Sequence, residues 1–355
     1  VPAEFWTEAA RMTTSGLLVV TGVLPVAFVA RALRPKDEPF LPRWKPWRVP
    51  WSGFEVAIAF IVLTVAVPTM VNVILNKGGF FEAVYDASLP SPEAKDVPAE
   101  QLKEAATVRM LWTSLFALPI SLSLLWLGAR MLYPKWKLTF AGNGSLGGKI
   151  WLAILAWLVL TPTILVLNQV VNEISLWYNM APEHHSLTTL GNRPVLDQVL
   201  FVIQACVIAP LSEELFFRGI LLPWCVGRMR IPGVAKSPLT DARPWFVMFA
   251  TLVLAVAMGD RRVAPVIFVA ILAIGLAIVW RYTHTGARRV RAVYATAALF
   301  AIVHVGVWPS PVPLFPFALG LGWLAVRTNG ILVPFIVHGL FNAVSVVYVL
   351  RGGVG

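Results

Sequence analysis

The chain is predicted to fold as an all-α, polytopic transmembrane helical bundle, and three observations carry that prediction. Hydrophobic residues make up 58% of the 355 positions and charged residues only 13%, whereas a soluble domain carries roughly a quarter charged residues. The mean hydropathy is +0.74. The apolar residues are gathered into runs approaching the roughly 17–25 residues that a spanning helix needs, and the basic residues are gathered into short loops between those runs.

Taken in order, the apolar runs predict eight to ten spans. The candidates are Ser15–Ala32, Gly53–Leu75, Val108–Leu132, Lys149–Val171, Leu196–Trp224, Pro244–Met258, Val263–Trp280, Ala292–Val307, Val312–Val326 and Gly330–Leu350. Several are short, which suggests tilted or partial crossings. The loops alternate in sign. Arg31–Arg48, Arg130–Lys149, Arg228–Arg243 and Arg281–Arg291 are basic, while Lys77–Glu104 and Glu173–Arg193 are acidic. The basic loops are assigned to the cytoplasm and both termini to the opposite side. Trp44, Trp47, Trp51, Trp136 and Trp177 flank spans, as interfacial tryptophans do. Pro98 is placed to open a helix with Glu100, Lys103 and Glu104 on its wet face, and the rest of Lys77–Glu104 reads as a solvated connector.

The net charge of +11 follows this positive-inside pattern, so no nucleic-acid partner is expected and the lipid bilayer is. The two cysteines, Cys206 and Cys225, lie in one apolar run. If one helix carries both, its rise of about 1.5 Å per residue holds them beyond disulfide reach. The first apolar run follows a mixed-charge segment without a clear cleavage site, so no cleavable signal peptide is expected. The Gly-rich stretch Gly142–Gly148 is a joint between residues 1–145, transmembrane helices with a polar extracytoplasmic loop over 77–107, and residues 146–355, which hold the polar motifs.

Those motifs are the most informative part of the chain. Glu213-Glu214-Leu-Phe-Phe-Arg218 sits inside the span Leu196–Trp224, and burying a carboxylate in a membrane costs several kcal/mol or more. On an α-helix Glu214 and Arg218 share a face and can pair, while Glu213 points about 100° away. The arginine can neutralise one acid and leave the other as a base. A structural ion pair or a proton relay uses the same residues. His304 ends the apolar run from Val293, one turn after Phe300; His338 and Asn342 share a face of the last span. Either histidine can exchange protons or bind a metal, and an asparagine amide can donate to a developing oxyanion. Polar helix–helix contacts are the plainer reading of each.

Together, the stretch Pro-Leu-Ser-Glu213-Glu214-Leu-Phe-Phe-Arg218-Gly, then Phe300-x-x-x-His304, then His338-x-x-x-Asn342, resembles the three-motif signature of the CAAX prenyl protease and bacteriocin-processing (CPBP, or Abi) family. The resemblance covers Leu196–Leu350. It implies an intramembrane endopeptidase core over 146–355, here with an inserted helical hairpin over about 231–290, in a multi-pass protein of the bacterial cytoplasmic membrane. It implies that Glu213 activates the attacking water, with His304 sharing that water. Glu214 and Arg218 brace the acid, Phe300 supports, and His338 and Asn342 stabilise the oxyanion. The implied substrate is a peptide or protein at the membrane, such as a prenylated C-terminus. No cofactor is expected. Zinc is the alternative, with Glu213, His304 and His338 as its ligands. The competing functions are a catalytically silent immunity or scaffold protein and a proton-coupled transporter. Glu183-His184-His185 is read as plain loop, and His284 beside Arg288 and Arg289 as an anionic-lipid contact.

Overall fold

The computed structural model describes residues 49–85, 89–90, 97–134, 142, 144–177, 194–227, 239–258, 263–283 and 288–350. The expected span Ser15–Ala32, the Glu183-His184-His185 stretch and His284 lie outside the described residues. Within them the chain forms ten helices: α1 Gly53–Lys77, α2 Phe80–Tyr85, α3 Ala99–Leu132, α4 Leu146–Trp177, α5 Val195–Val226, α6 Leu239–Met258, α7 Val263–Tyr282, α8 Arg288–Ile302, α9 Pro311–Thr328 and α10 Leu332–Leu350. Five of them, α1, most of α3, α4, α5 and α7, are long and apolar enough to cross a membrane. The fold is an all-α polytopic bundle, and the protein is an integral, multi-pass membrane protein.

The described residues divide into two compact units. One draws on Thr139–Glu183 and Phe217–Val337, the other on Pro50–Leu138, His184–Phe216 and His338–Gly355.

In the first unit α8 is the centre. Every residue from Ala295 to Ile302 is buried, and α6, α7 and α9 all pack on this helix. Its alanines let neighbouring backbones approach. Gly322 of α9 faces Val293 of α8, and a Cβ added there would lie 3.0 Å from the valine methyl. The outer stripe of α7, with Ile267, Ile271, Ile274 and Ile278, is exposed, while Val269, Leu272 and Leu276 are buried. That is one apolar face toward protein and another toward lipid. α6 and α7 fall within the stretch read as a hairpin, about 231–290, and pack on each other.

In the second unit Ser52 and Glu55 form a capping box that starts α1, and Glu55 also accepts a 2.5 Å hydrogen bond from Tyr133. Gly78 and Gly79 (φ 68°) turn the chain into α2. α3 opens directly after Pro98, as expected, and its 34 residues amount to about 50 Å of helix. That exceeds the roughly 30 Å hydrocarbon core, so the polar first turns stand outside it. The solvated-connector reading of 77–104 needs correction. Phe81 and Leu89 are buried in a core with Val108, Leu111, Leu200, Phe201 and Val346, and Arg109 reaches back to Asn76 Oδ1 (3.2 Å) and Pro90 O (2.7 Å). A fully buried acid, Asp197, takes the Tyr85 hydroxyl at 2.5 Å, and that hydroxyl accepts from Trp112 Nε1 at 2.9 Å. Apolar ring surface and these bonds hold α2, Leu89 and Pro90 against their neighbours.

α10 meets the first half of α5 closely in this unit. A Cβ on Gly339 would lie 2.5 Å from Cys206 O, a backbone atom that cannot swing aside. Gly339→Ala is therefore expected to lose about 1–3 kcal/mol of stability as a lowered Tm in detergent. Gly128→Ala, with nothing within 4 Å of the new carbon, is the control expected to leave Tm unchanged or slightly raised.

Candidate active site

Both acids sit on a single α-helical turn, Ala209–Glu214, flanked by π-helical segments Gln204–Ile208 and Leu215–Leu221. A π segment shifts backbone bonding from i+4 to i+5. Here Ala209 N–H bonds to Gln204 O. The next residue, Pro210, has no N–H to give. The carbonyl of Ala205 thus loses both of its helical donors, and a polar side chain has a reason to approach.

In the second unit that side chain is Asn342, whose Nδ2 donates to Ala205 O at 2.8 Å. One turn earlier on α10, His338 lies between the two carboxylates. Its Nδ1 is 2.9 Å from Glu214 Oε1, and its Nε2 is 3.9 Å from Glu213 Oε2. Glu214 is 0% exposed and Glu213 has 26% of its side chain exposed. A carboxylate can only accept from the ring, so Nδ1 carries the proton and Nε2 faces Glu213. One acid is sealed in and orients the imidazole. The other keeps access to solvent.

The first unit holds the other motif residues. Phe300, 0% exposed, is their hub: the Arg218 guanidinium carbon lies 4.4 Å from its ring centroid, Phe217 meets it edge-on at 5.1 Å and His304 tilts against it at 5.0 Å. Arg218 also donates to Ala318 O at 3.3 Å. His304 lies just past the end of α8, where the expected span Ala292–Val307 gives way to a short 3₁₀ turn, Val305–Val307. Its Nδ1 is 2.8 Å from Phe300 O. A carbonyl only accepts, so Nδ1 donates and Nε2 is the lone-pair nitrogen of the neutral ring.

Sequence reasoning paired Glu214 with Arg218 through α-helical spacing. The structure gives Glu214 a histidine partner from another helix that this spacing did not foresee, and the segment after Glu214 is π-helical. The i, i+4 pattern of His338 and Asn342 did signal a shared polar face. Asp197 carried no signal, because an acid in the first turn of a helix is ordinary. Among the described residues no three His, Cys, Asp or Glu side chains gather as a metal site. Glu213 and His338 alone supply two donors, and a carboxylate behind the histidine is also what orients metal-bound imidazoles.

A membrane-embedded helical bundle with a buried acid–imidazole pair beside a second, more accessible carboxylate is the kind of site that intramembrane hydrolases build. Residues 195–344 match the family model described as type II CAAX prenyl endopeptidase Rce1-like. That segment is similar to the CAAX prenyl protease family, whose members act on protein substrates at the membrane. No curated protein and no solved structure matches the chain.

If Asn342 serves to satisfy Ala205 O, Asn342→Ala leaves that carbonyl unpaired at a cost of about 1–3 kcal/mol. Thermal unfolding in detergent checks this. Asn342→Asp should be no better, because a carboxylate has no hydrogen to donate.

Proposed function

We propose that the protein is an intramembrane endopeptidase that hydrolyses a peptide bond with a water activated by Glu213, and that its substrates are prenylated protein C-termini. The observation that carries this reading is the position of His338 between Glu214 and Glu213, in a segment similar to a family that acts on proteins.

Glu213 takes a proton from the water as its oxygen attacks the scissile carbonyl. His338, held through Nδ1 by Glu214, presents Nε2 on the same side as Glu213. Once protonated there by a proton from solvent, it donates to the oxyanion of the tetrahedral intermediate; as the intermediate collapses the C–N bond breaks, and Glu213 passes the proton it took from water to the leaving amine. Asn342 gives one amide hydrogen to Ala205 O, and the second is its contribution to the oxyanion. His304 shares the attacking water in this reading. That role rests on the family resemblance and on the order of the motifs. Arg218, fixed on Phe300 and Ala318 O, is a positioning residue. No metal is required, because carboxylate and imidazole together supply base and donor.

The test is release of a C-terminal tripeptide from a farnesylated peptide by the protein in liposomes, followed by mass spectrometry. Glu213→Gln keeps the shape and removes the base, so cleavage should fall by about 10²–10⁴-fold with the protein still folded. Full activity in that variant would sink the mechanism, and absence of cleavage by the wild-type protein would favour a silent scaffold. Elemental analysis is expected to find no stoichiometric zinc. About one zinc per chain, lost together with activity on chelation and restored with it, would replace this reading by a metalloprotease using Glu213, His304 and His338.

A further inference from the structure

The π segment Gln204–Ile208 holds one more polar group. Gln204 opens it, inside the span Val195–Val226. The backbone of Gln204 is fully engaged. Its N–H donates to the Leu200 and Phe201 carbonyls, and its own carbonyl accepts from Ala209 N–H. The side chain differs: Oε1 is sealed from solvent and has no hydrogen-bond partner among the described residues. Native structures seldom bury such a group without a partner or a purpose, and a bilayer core has no bulk water to supply one.

This carboxamide lies beside the candidate site. Leu200, Phe201 and Ile208, one turn to either side of Gln204, are buried, so this face of α5 looks into protein rather than lipid. α3 packs on the segment. The next residue, Ala205, gives its carbonyl to Asn342 at 2.8 Å, one turn of α10 from His338 and the two acids. All of these residues belong to the second unit. Glu213 stands nine residues further along α5, about 13 Å at 1.5 Å of rise per residue.

That separation matches a short peptide tail. Two residues of extended chain span about 7 Å, the distance from the nitrogen of a cleaved bond to the N–H of the third residue beyond it. The attacking water at the Glu213 end and a hydrogen bond of about 3 Å at the Gln204 end make up the rest. α5 runs from an acidic loop to a basic one, so Gln204 is further than Glu213 from the side assigned to the cytoplasm. A substrate whose folded body stays on that side reaches Glu213 first and Gln204 with its last residue.

We propose that Gln204 binds the substrate: its Oε1 accepts a hydrogen bond from the backbone N–H of the last residue of a prenylated C-terminus, the third residue after the cleaved bond. The inference rests on the hydrolysis proposed above and adds a determinant to it. A backbone contact reads the length of the tail and not its side chains, so a tail one residue shorter lacks the N–H that Gln204 accepts.

Binding tests this apart from cleavage. A farnesylated tetrapeptide with a fluorescent N-terminal label is titrated into Glu213→Gln protein in nanodiscs and followed by anisotropy, beside a depsipeptide in which an ester oxygen replaces the last N–H. With Gln204 present, the peptide should bind about tenfold tighter than the depsipeptide, the weight of one buried hydrogen bond. With Gln204→Leu added, the two ligands should bind equally, because the acceptor is gone. The Tm of Gln204→Leu should hold or rise, since a buried polar atom without a partner has been removed. Gln204→Met keeps the length of the side chain and gives the same comparison if the leucine variant folds poorly. Equal discrimination by both proteins, no preference in the protein that keeps Gln204, or no binding of either ligand would overturn the proposal. Cleavage by the protein with Glu213 intact is scored separately. An amide preference that depends on Gln204, without any cleavage, supports the binding role and contradicts only the hydrolysis.

Discussion

The hydrogen bond between Glu214 and His338 is the constraint on which the rest of the candidate site depends. A carboxylate sealed from solvent costs several kcal/mol unless it is bonded, and this one is bonded at 2.9 Å. Meeting that need requires α10 to bring His338 level with Glu214. The same registration puts Gly339 against Cys206 O and Asn342 on Ala205 O. Residue numbers rise along α10 as they fall along α5, so the three contacts make one antiparallel seam. Each demands a particular residue: an imidazole, a side chain of no size and an amide donor.

The π segments are what give the seam its chemistry. A regular α-helix would keep its carbonyls to itself. The segment Gln204–Ile208, followed by Pro210, offers Ala205 O outward, and the segment Leu215–Leu221 begins directly after the second acid. Such bulges often mark functional sites, and here they decide which helix faces the acids and the arginine present. Phe300 plays the corresponding part in its own unit. Its buried ring seats Arg218 and His304, and its carbonyl fixes the tautomer of His304.

Much of this was legible in sequence, for physical reasons. A membrane span must be a long apolar run, so α1, α5 and α7 begin and end within about two residues of the expected bounds. Polar groups in such runs are expensive, which is why Glu213, Glu214, Arg218, His304, His338 and Asn342 stood out. What sequence could not supply was backbone register. The π-helical stretch after Glu214 could not be read from residue spacing, and the acceptor for Asn342 exists only because helical regularity breaks at Ala205. The packing of the aromatic residues of α2 was hidden for a different reason. Its two phenylalanines and one tyrosine lie in a short polar context, and only the tertiary partners Asp197 and Trp112 show them to be packed.

The measurement that tests the central claim most directly is a double-mutant cycle on stability between Glu214 and His338, using the apolar replacements Glu214→Leu and His338→Phe. If the pair is a buried hydrogen bond, His338→Phe alone takes a donor from a sealed carboxylate and should cost about 1–3 kcal/mol. The double variant, with neither polar group left, should recover part of that loss. Losses that simply add, within about 0.5 kcal/mol, would mean that the two residues do not depend on each other, and the account of the site would fall with them.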